Sequence, residues 1–283
     1  VLVEGRRHTI SEMATSMIAN LKARKLFSVI APLWNEEEGV AQLHEKLNRL
    51  RRQLESEADL EFILVDDGSS DRTHVKLLSL FGDDPLARIL VHPKNRGLGA
   101  AMRTGFENAN GEIICTIDAD CSYEPEGLLR LIKTLEQTGA DIVTASPYHP
   151  EGRVEGVAGW RIVLSKGCSW FYRWISGARL YTFTSVFRAY RARVIRELKF
   201  EADGFLSAAE IAIRAAQQGL VIAEAPMTLR ARSVGTSKMK IVRTIASHLG
   251  LMRSLVMQKL HSPDAGPMGV TTVTRPAWPK SEV

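Results

Sequence analysis

The chain has 283 residues, 45% hydrophobic and 24% charged, with a formal net charge of +5 and a pI near 9.2. This is ordinary globular composition, enough for one large core or two modest ones. It excludes a wholly disordered chain, and with Cys115, Cys121 and Cys168 its only cysteines and no paired metal-type spacing, it also excludes a disulfide framework. No run reaches the roughly 18–20 apolar residues that span a bilayer, and Val1 to Arg7 lacks a signal-peptide core. An integral membrane protein is therefore not expected. A reducing cytosol and anionic partners are.

In chain order, residues 1–26 read as an N-terminal extension with room for one helix. From Phe27 short apolar runs alternate with amphipathic stretches, the pattern of an α/β fold with a mostly parallel sheet flanked by helices. Strands are predicted over Phe27 to Leu33, Leu60 to Val65, Ala87 to Val91, Glu112 to Ile117 and Asp141 to Ala145. Helices are predicted over Glu37 to Leu54, Asp71 to Leu80, Leu98 to Asn108 and Pro125 to Gln137. After Ser146 the alternation stops and aromatic and basic residues, Trp160 to Arg179, suggest a segment wrapped over one face, followed by a strand pair within Leu220 to Arg232. Ile241, Ile245, Leu249, Met252, Val256 and Leu260 form one helical stripe within 239–261, and the Pro-containing end, 262–283, reads as a disordered tail.

In parallel sheets ligands bind beyond the carboxyl ends of the strands, so the loops after the strands carry the informative residues. After the fourth strand come Asp118-Ala119-Asp120, whose two carboxylates, one residue apart, can aim at one point and hold a hard cation that shares its other positions with phosphates. Asp-x-Asp alone also serves as an ordinary turn. After the second, Asp66-Asp67-Gly68-Ser69-Ser70-Asp71 suits both a helix cap and carboxylates that accept from a base or ribose. Asn95-Arg96-Gly97-Leu98-Gly99 suits close backbone approach of a phosphate to a helix start, or simple helix–sheet packing; it is neither a Walker loop nor a dinucleotide fingerprint.

Taken together, Pro32-x-x-Asn35-Glu36, Val65-Asp66-Asp67-Gly68-Ser69-x-Asp71-x-Thr73, Asn95-x-Gly97-Leu98-Gly99 and Asp118-Ala119-Asp120-x-x-x-x-Pro125-Glu126 resemble the family 2 glycosyltransferases. The likeness is to their dolichol-phosphate mannosyltransferase-like, or polyprenyl-phosphate glycosyltransferase, branch. The resemblance implies a GT-A fold over 27–238, with a nucleotide-binding half, 27–122, and an acceptor half, 123–238. It implies a GDP- or UDP-linked sugar donor, Mg2+ or Mn2+, and inversion at the anomeric carbon. On this reading Pro32, Trp34, Asn35, Glu36, Asp66, Asp67 and Gly97 frame the nucleotide. Asp118, Ala119 and Asp120 meet the diphosphate, with Asp118 and Asp120 as metal ligands.

In the second half Arg161-x-x-x-Ser165 resembles the segment that closes over the donor, and Gly204-Phe205 with Glu210 the acceptor-side helix. Arg232-x-x-Gly235-x-Ser237-Lys238 resembles the closing phosphate-binding motif. Asp120, Glu210, Arg232 and Lys238 are the expected catalytic set. Three positions depart from the branch: Thr182 stands where it has a carboxylate, Pro147 where it has an arginine, and Ser122 where it has a glutamine. All three fall on the sugar and acceptor side. The expected reaction moves a hexose to a polyprenyl or dolichyl phosphate. The alternatives are a soluble hydroxyl acceptor, for which Glu210 is the only base to propose, and an inactive nucleotide-sugar-binding homologue. The aromatic Trp160 to Trp174 segment and the basic Lys238 to Leu260 stretch suit either a peripheral contact at the inner face of a membrane or ordinary core packing. Nucleic acid is not an expected partner, and the oligomeric state stays open.

Overall fold

The interior strand β1 (Lys25–Leu33) sends Phe27, Val29, Ala31 and Leu33 into one apolar cluster and Ile30 into another on the opposite face of the sheet. The alternation is that of a strand covered on both sides. β2 (Ala58–Asp66) repeats it, with Leu60, Phe62 and Leu64 on one face and Ile63 and Val65 on the other. Residues 24–232 and 241–261 are described, by a computed structural model of the chain. The remaining strands are β3 (Ala87–Val91), β4 (Ile113–Thr116), β5 (Ile142–Ser146), β6 (Arg153–Glu155), β7 (Arg188–Arg191), β8 (Ile222–Pro226) and β9 (Thr228–Arg230). Seven of them form one sheet in the order β3-β2-β1-β4-β7-β5-β8, parallel except for β7, which runs antiparallel to both β4 and β5.

On the first face lie α1 (Val40–Leu54), α2 (Thr73–Phe81) and α4 (Gly127–Thr138). In α1 the buried residues Val40, Leu43, Leu47, Leu50 and Leu54 recur every three or four positions, the stripe that docks a helix on a sheet. On the second face lie α3 (Leu98–Glu107), α5 (Gly159–Ser176), the short α6 (Ala192–Glu197), α7 (Leu206–Gln217) and α8 (Ile241–His261). The two clusters give an α/β/α sandwich, an arrangement of two helical layers about a mostly parallel sheet.

The second half differs from the sequence reading in three ways. It supplies two strands of the main sheet, β7 and β8, as well as helices over one face. The expected strand pair within 220–232 is not a pair: β8 joins the sheet beside β5, while β9 pairs with β6 in a separate two-stranded sheet, because the single residue between β8 and β9 is too short for a hairpin. In α8 the stripe is rotated. His248 and Leu255 are buried and Leu251, Met252 and Val256 pack beside them, whereas Leu249 is 60% exposed. The cause is Tyr172 of α5, whose hydroxyl lies 2.7 Å from Nδ1 of His248, an imidazole that burial keeps below its usual pKa and hence able to accept. Helix α1 also starts later than expected, at Val40, since residues 36–39 form a turn closed by the Gly39 amide on the Glu36 carbonyl at 2.9 Å.

Candidate active site

The strand register brings the loops to one edge. Leu33 is level with Asp66, Asp66 with Val91, and Thr116 with Arg188, so the segments after β1, β2, β3 and β4 and the one before β7 meet there. Because β7 is antiparallel, its incoming end joins the carboxyl ends of its neighbours.

The loops after β1 and β2 are fastened to each other. Asn35, held at φ 53°, accepts the Ser70 amide on Oδ1 at 2.8 Å while its own amide donates to Ser69 Oγ at 2.8 Å. The Glu36 amide donates to Thr73 Oγ1 at 2.8 Å. Asn tolerates the left-handed region better than most non-glycine residues, and here its side chain is anchored across to the second loop; such strain gathers at functional edges. Pro32, at the end of β1, and Trp34, the first residue after it, lie half-buried on either side of Leu33. Asp66 is buried and accepts the Ser69 amide at 3.0 Å, with its other oxygen 3.8 Å from Nδ1 of His74.

Asp67 does something the sequence does not reveal. Its Oδ1 accepts from His92 Nδ1 at 2.6 Å and the Arg96 amide at 2.9 Å, and its Oδ2 from Asn95 Nδ2 at 3.0 Å and the Gly97 amide at 2.7 Å. A carboxylate with four acceptor contacts is saturated. Asp67 therefore organises the 92–97 loop. Gly97, at φ 99°, has no room for a side chain, since a Cβ would lie 2.3 Å from the Asp203 carbonyl oxygen. That carbonyl accepts the Gly99 amide at 2.6 Å and the Ala100 amide at 3.4 Å, so these α3 N-terminal donors are bound to the 202–203 loop and not presented to a phosphate. Of the two readings of this glycine segment, packing is the one the geometry favours.

Beyond β4, Asp118 and Asp120 lie with Glu36 in one acidic cluster. Cys121, at φ 53°, turns the chain sharply back, its amide donating to the Asp118 carbonyl at 3.1 Å. Burial, and then the charge of Asp120, push the Asp118 carboxyl up to about 7, with the Arg232 guanidinium opposing and Glu36 adding to the rise. Asp120 accepts the Ser122 amide on Oδ1 at 2.9 Å and, on Oδ2, Nε and Nη2 of Arg232 at 3.1 and 2.7 Å; Nη2 also reaches Glu36 at 3.4 Å. The donor set of two carboxylate oxygens, with negative charge in excess, fits a magnesium- or manganese-sized cation that keeps other positions for water or phosphate. Among the described residues no group of three or more His, Cys, Asp or Glu side chains is placed to hold a metal, so a cage made of protein ligands alone is not formed by them. Ala119 is buried between the two carboxylates.

A cavity of about 200 Å³ opens beside this cluster, lined by Asp118, Asp120 and a series of hydroxyls: Ser122, Ser165, Thr182, Thr184, Ser185 and those of Tyr123 and Tyr148. Thr182 is buried and its Oγ1 is 2.8 Å from Ser146 Oγ; its amide donates to Glu224 at 2.9 Å. Ser165 shares a hydroxyl contact of 2.7 Å with Thr184. Arg161, one turn earlier on α5, stacks its guanidinium 5.2 Å from the Trp160 ring. Thr184, Ser185 and Tyr148 escaped the sequence reading as site residues. Tyr148 follows β5 as Asp118 follows β4, and that position was the available signal, whereas residues 184 and 185 precede a strand whose reversed direction the sequence does not announce. Behind them Arg188, fully buried, donates to Phe183 O at 2.8 Å, Ala208 O at 2.7 Å and Thr144 Oγ1 at 3.2 Å, fixing the 183–186 loop.

Glu210 is not brought into this cavity. Its buried carboxylate accepts the Ala202 amide at 2.8 Å, the Glu201 amide at 3.2 Å and Arg214 Nε at 2.7 Å, which ties the loop before α7 in place. Lys238, with Gly235 and Ser237, lies outside the described residues.

Comparison with known proteins gives this geometry a family. Residues 28–199 match the model of glycosyl transferase family 2. The chain is 31% identical over 218 residues to a polyprenol monophosphomannose synthase of Mycolicibacterium smegmatis, covering 75% of this chain and 80% of that one. It is 32% identical over 216 residues to a dolichol-phosphate mannosyltransferase of Pyrococcus furiosus, covering 75% of this chain but 59% of the longer relative. A dodecaprenyl-phosphate galacturonate synthase of Rhizobium johnstonii is 30% identical over 238 residues, and 65% of its length is covered. Among solved structures, glucosyl-3-phosphoglycerate synthase of Mycobacterium tuberculosis, crystallised with Mn2+, UDP and glucosyl-3-phosphoglycerate, superposes with a TM-score of 0.60 at 19% identity over 86% of this chain and 82% of that one. The same enzyme with Mg2+ and UDP gives 0.60 at 21%. The fold is thus GT-A, and the chain, a glycosyltransferase, belongs to glycosyl transferase family 2.

Proposed function

We propose that the chain transfers a hexose from a nucleoside diphosphate sugar to a polyprenyl phosphate, with inversion at the anomeric carbon. The observation that carries the acceptor half of this reading is the chemistry of the cavity. Among the described residues lining it, the carboxylates are Asp118 and Asp120, which face the cation position, and the rest of its polar lining is hydroxyls. A hydroxyl acceptor needs a general base within hydrogen-bond reach, and Glu210 is engaged elsewhere. A phosphate monoester is already largely ionised near neutral pH and needs none. The loss of a carboxylate at Thr182 is compatible with such an acceptor. The names of the three relatives, each a synthase or transferase of a lipid-linked sugar phosphate, support the same class.

On this reading Pro32, Trp34, Asn35, Glu36 and Asp66 frame the nucleoside, and Asp67 and Gly97 position the loop beside it. Asp118 and Asp120 would hold magnesium or manganese, which when bound supplies positive charge to the diphosphate leaving group. Arg232 contributes a guanidinium for the same charge, exchanging its Asp120 contact for a phosphate oxygen when the donor arrives; Lys238 has the corresponding role in the closing motif. Arg161 and Ser165 close the donor side from α5. No helix of the described residues is long and apolar enough to cross a membrane, so the lipid phosphate would be met at a membrane surface, on its inner face.

A thermal-shift panel of nucleoside diphosphate sugars with and without Mn2+ tests the donor half, because a ligand that binds only the folded state stabilises it, by about 2.7 kcal/mol at a hundred times its Kd. One sugar nucleotide should raise Tm only with the metal, and Asp120→Asn should abolish the shift. A panel that leaves Tm unchanged contradicts the donor assignment.

A further inference from the structure

The outer face of α5 is apolar, exposed and basic at its edge. Trp160, Val163, Trp170 and Trp174 are 47%, 73%, 69% and 59% exposed, and with Gly167 they follow one another at steps of three, four, three and four residues. At 3.6 residues per turn these positions form a single stripe. The opposite face already supplies the core through Cys168, Tyr172 and Ile175. The helix is therefore apolar on two sides, and the outer stripe stays exposed even though Trp174 packs against Phe171 and Trp160 against Arg161. Three exposed tryptophans on one helix form a patch of the kind that marks an interaction site.

We infer that this stripe is the surface by which the protein docks on an anionic lipid bilayer. Charge selects that occupant. Over its 18 residues α5 carries Arg161, Lys166 and Arg173 and no Asp or Glu. Tryptophan stripes flanked by Lys and Arg are the composition of helices that lie in the headgroup region, where the indoles sit at the boundary and the cations meet lipid phosphates. On the helix, Lys166 and Arg173 fall together along one margin of the stripe. That margin borders the cavity: the Lys166 ammonium is 5.3 Å from the ring centre of Tyr148, which lines it, and Arg173 is 5.4 Å from that of Tyr181, itself exposed. Ser165, from the other side of α5, lines the cavity directly. Docking through the stripe would thus make one wall of the acceptor cavity the element that touches lipid, with a cationic margin leading a phosphate headgroup toward it. The inference extends the lipid-phosphate reading of the acceptor; the binding test below involves neither donor nor acceptor, so each can fail alone.

The test is cosedimentation of the full chain with phosphatidylcholine vesicles, with and without phosphatidylglycerol, alongside tryptophan emission. Binding should be about tenfold tighter to the anionic vesicles and weaken with salt, with emission shifted to the blue. Trp170→Ala/Trp174→Ala should weaken it about tenfold or more while Tm and the Mn2+-dependent donor shift stay as in the parent. Lys166→Ala/Arg173→Ala should remove the preference for anionic vesicles and leave the weak neutral binding. Equal binding by parent and tryptophan variant overturns the inference. So does concentration-dependent self-association that the tryptophan variant abolishes without any vesicle binding by the parent, since the stripe would then be covered by a second copy. If the double tryptophan variant misfolds, Trp170→Ala alone, at the more exposed tryptophan of the pair, makes the same distinction.

Discussion

Asp67 and Asp120 are both carboxylates in loops that follow strands, Asp67 directly after β2 and Asp120 beyond the end of β4, yet they do different work. Asp67 is saturated by four donors from the 92–97 loop, which it holds in shape. Asp67→Asn would set an amide nitrogen, itself a donor, against two of these four donors, and urea melts should show a loss of about 1–3 kcal/mol together with weaker donor binding. Asp120 instead meets Arg232, which in the absence of donor neutralises the position a cation would take. Arg232→Ala should therefore bind Mn2+ about tenfold more tightly without donor, measured by calorimetry, yet turn over more slowly, since the leaving group loses a charge partner. Unchanged Mn2+ affinity would speak against the exchange. Glu210 gives the opposite kind of test. A general base contributes about 10²–10⁴-fold, so Glu210→Gln should keep its turnover to within about tenfold and lose stability instead, the Glu201 and Ala202 amides and Arg214 having lost a charged acceptor.

At the scale of elements, β1 to β5 and α1 to α4 are legible in the sequence because each has its own period and its own loop chemistry, and parallel strands covered on both faces read as apolar runs. β7 is not. It is four residues, Arg188 to Arg191, with an arginine at each end, and it enters the sheet between two strands that are remote from it in sequence. The rule that ligands gather at carboxyl ends then misses Thr184 and Ser185, which arrive from the amino end of a reversed strand. The partners of β8 and β9 are hidden for a related reason: parallel pairing is made with β5 and β6 and leaves no local turn signal. On the site, carboxylates that follow strands are easy to find, but the roles of Gly97 and Glu210 depend on the Asp203 carbonyl and on two backbone amides, which no side-chain pattern encodes. One buried carboxylate joins several elements at the far end of the sheet. Burial opposes the charge of Glu61, but the Ser28 hydroxyl, the Asn110 amide and Arg88 outweigh it, and its pKa lies below the ordinary 4.5. A folded-state pKa below the unfolded one gives stability that is present above pH 4.5 and lost as the pH falls through the folded value. Glu61→Gln should thus be less stable than the parent by about 1–3 kcal/mol at neutral pH, and the gap should narrow in acid melts below that range.

For the whole molecule, the sheet edge gathers an acidic cation position and its arginine on one side and a hydroxyl-lined cavity on the other, with α5 as the shared wall of that cavity. The basic balance of the chain, +5 overall, suits the anions at every stage, the donor diphosphate, the acceptor phosphate and the membrane surface. The family fixes glycosyl transfer; the acceptor is the central claim. Its direct test is transfer of labelled sugar from the nucleotide donor selected by thermal shift, with Mn2+ present, offered in parallel to a polyprenyl phosphate in detergent and to soluble alcohols and sugars. The prediction is product on the polyprenyl phosphate, absent from Asp120→Asn and retained to within about tenfold in Glu210→Gln. Transfer to the soluble hydroxyl acceptors with none to the lipid phosphate would contradict it.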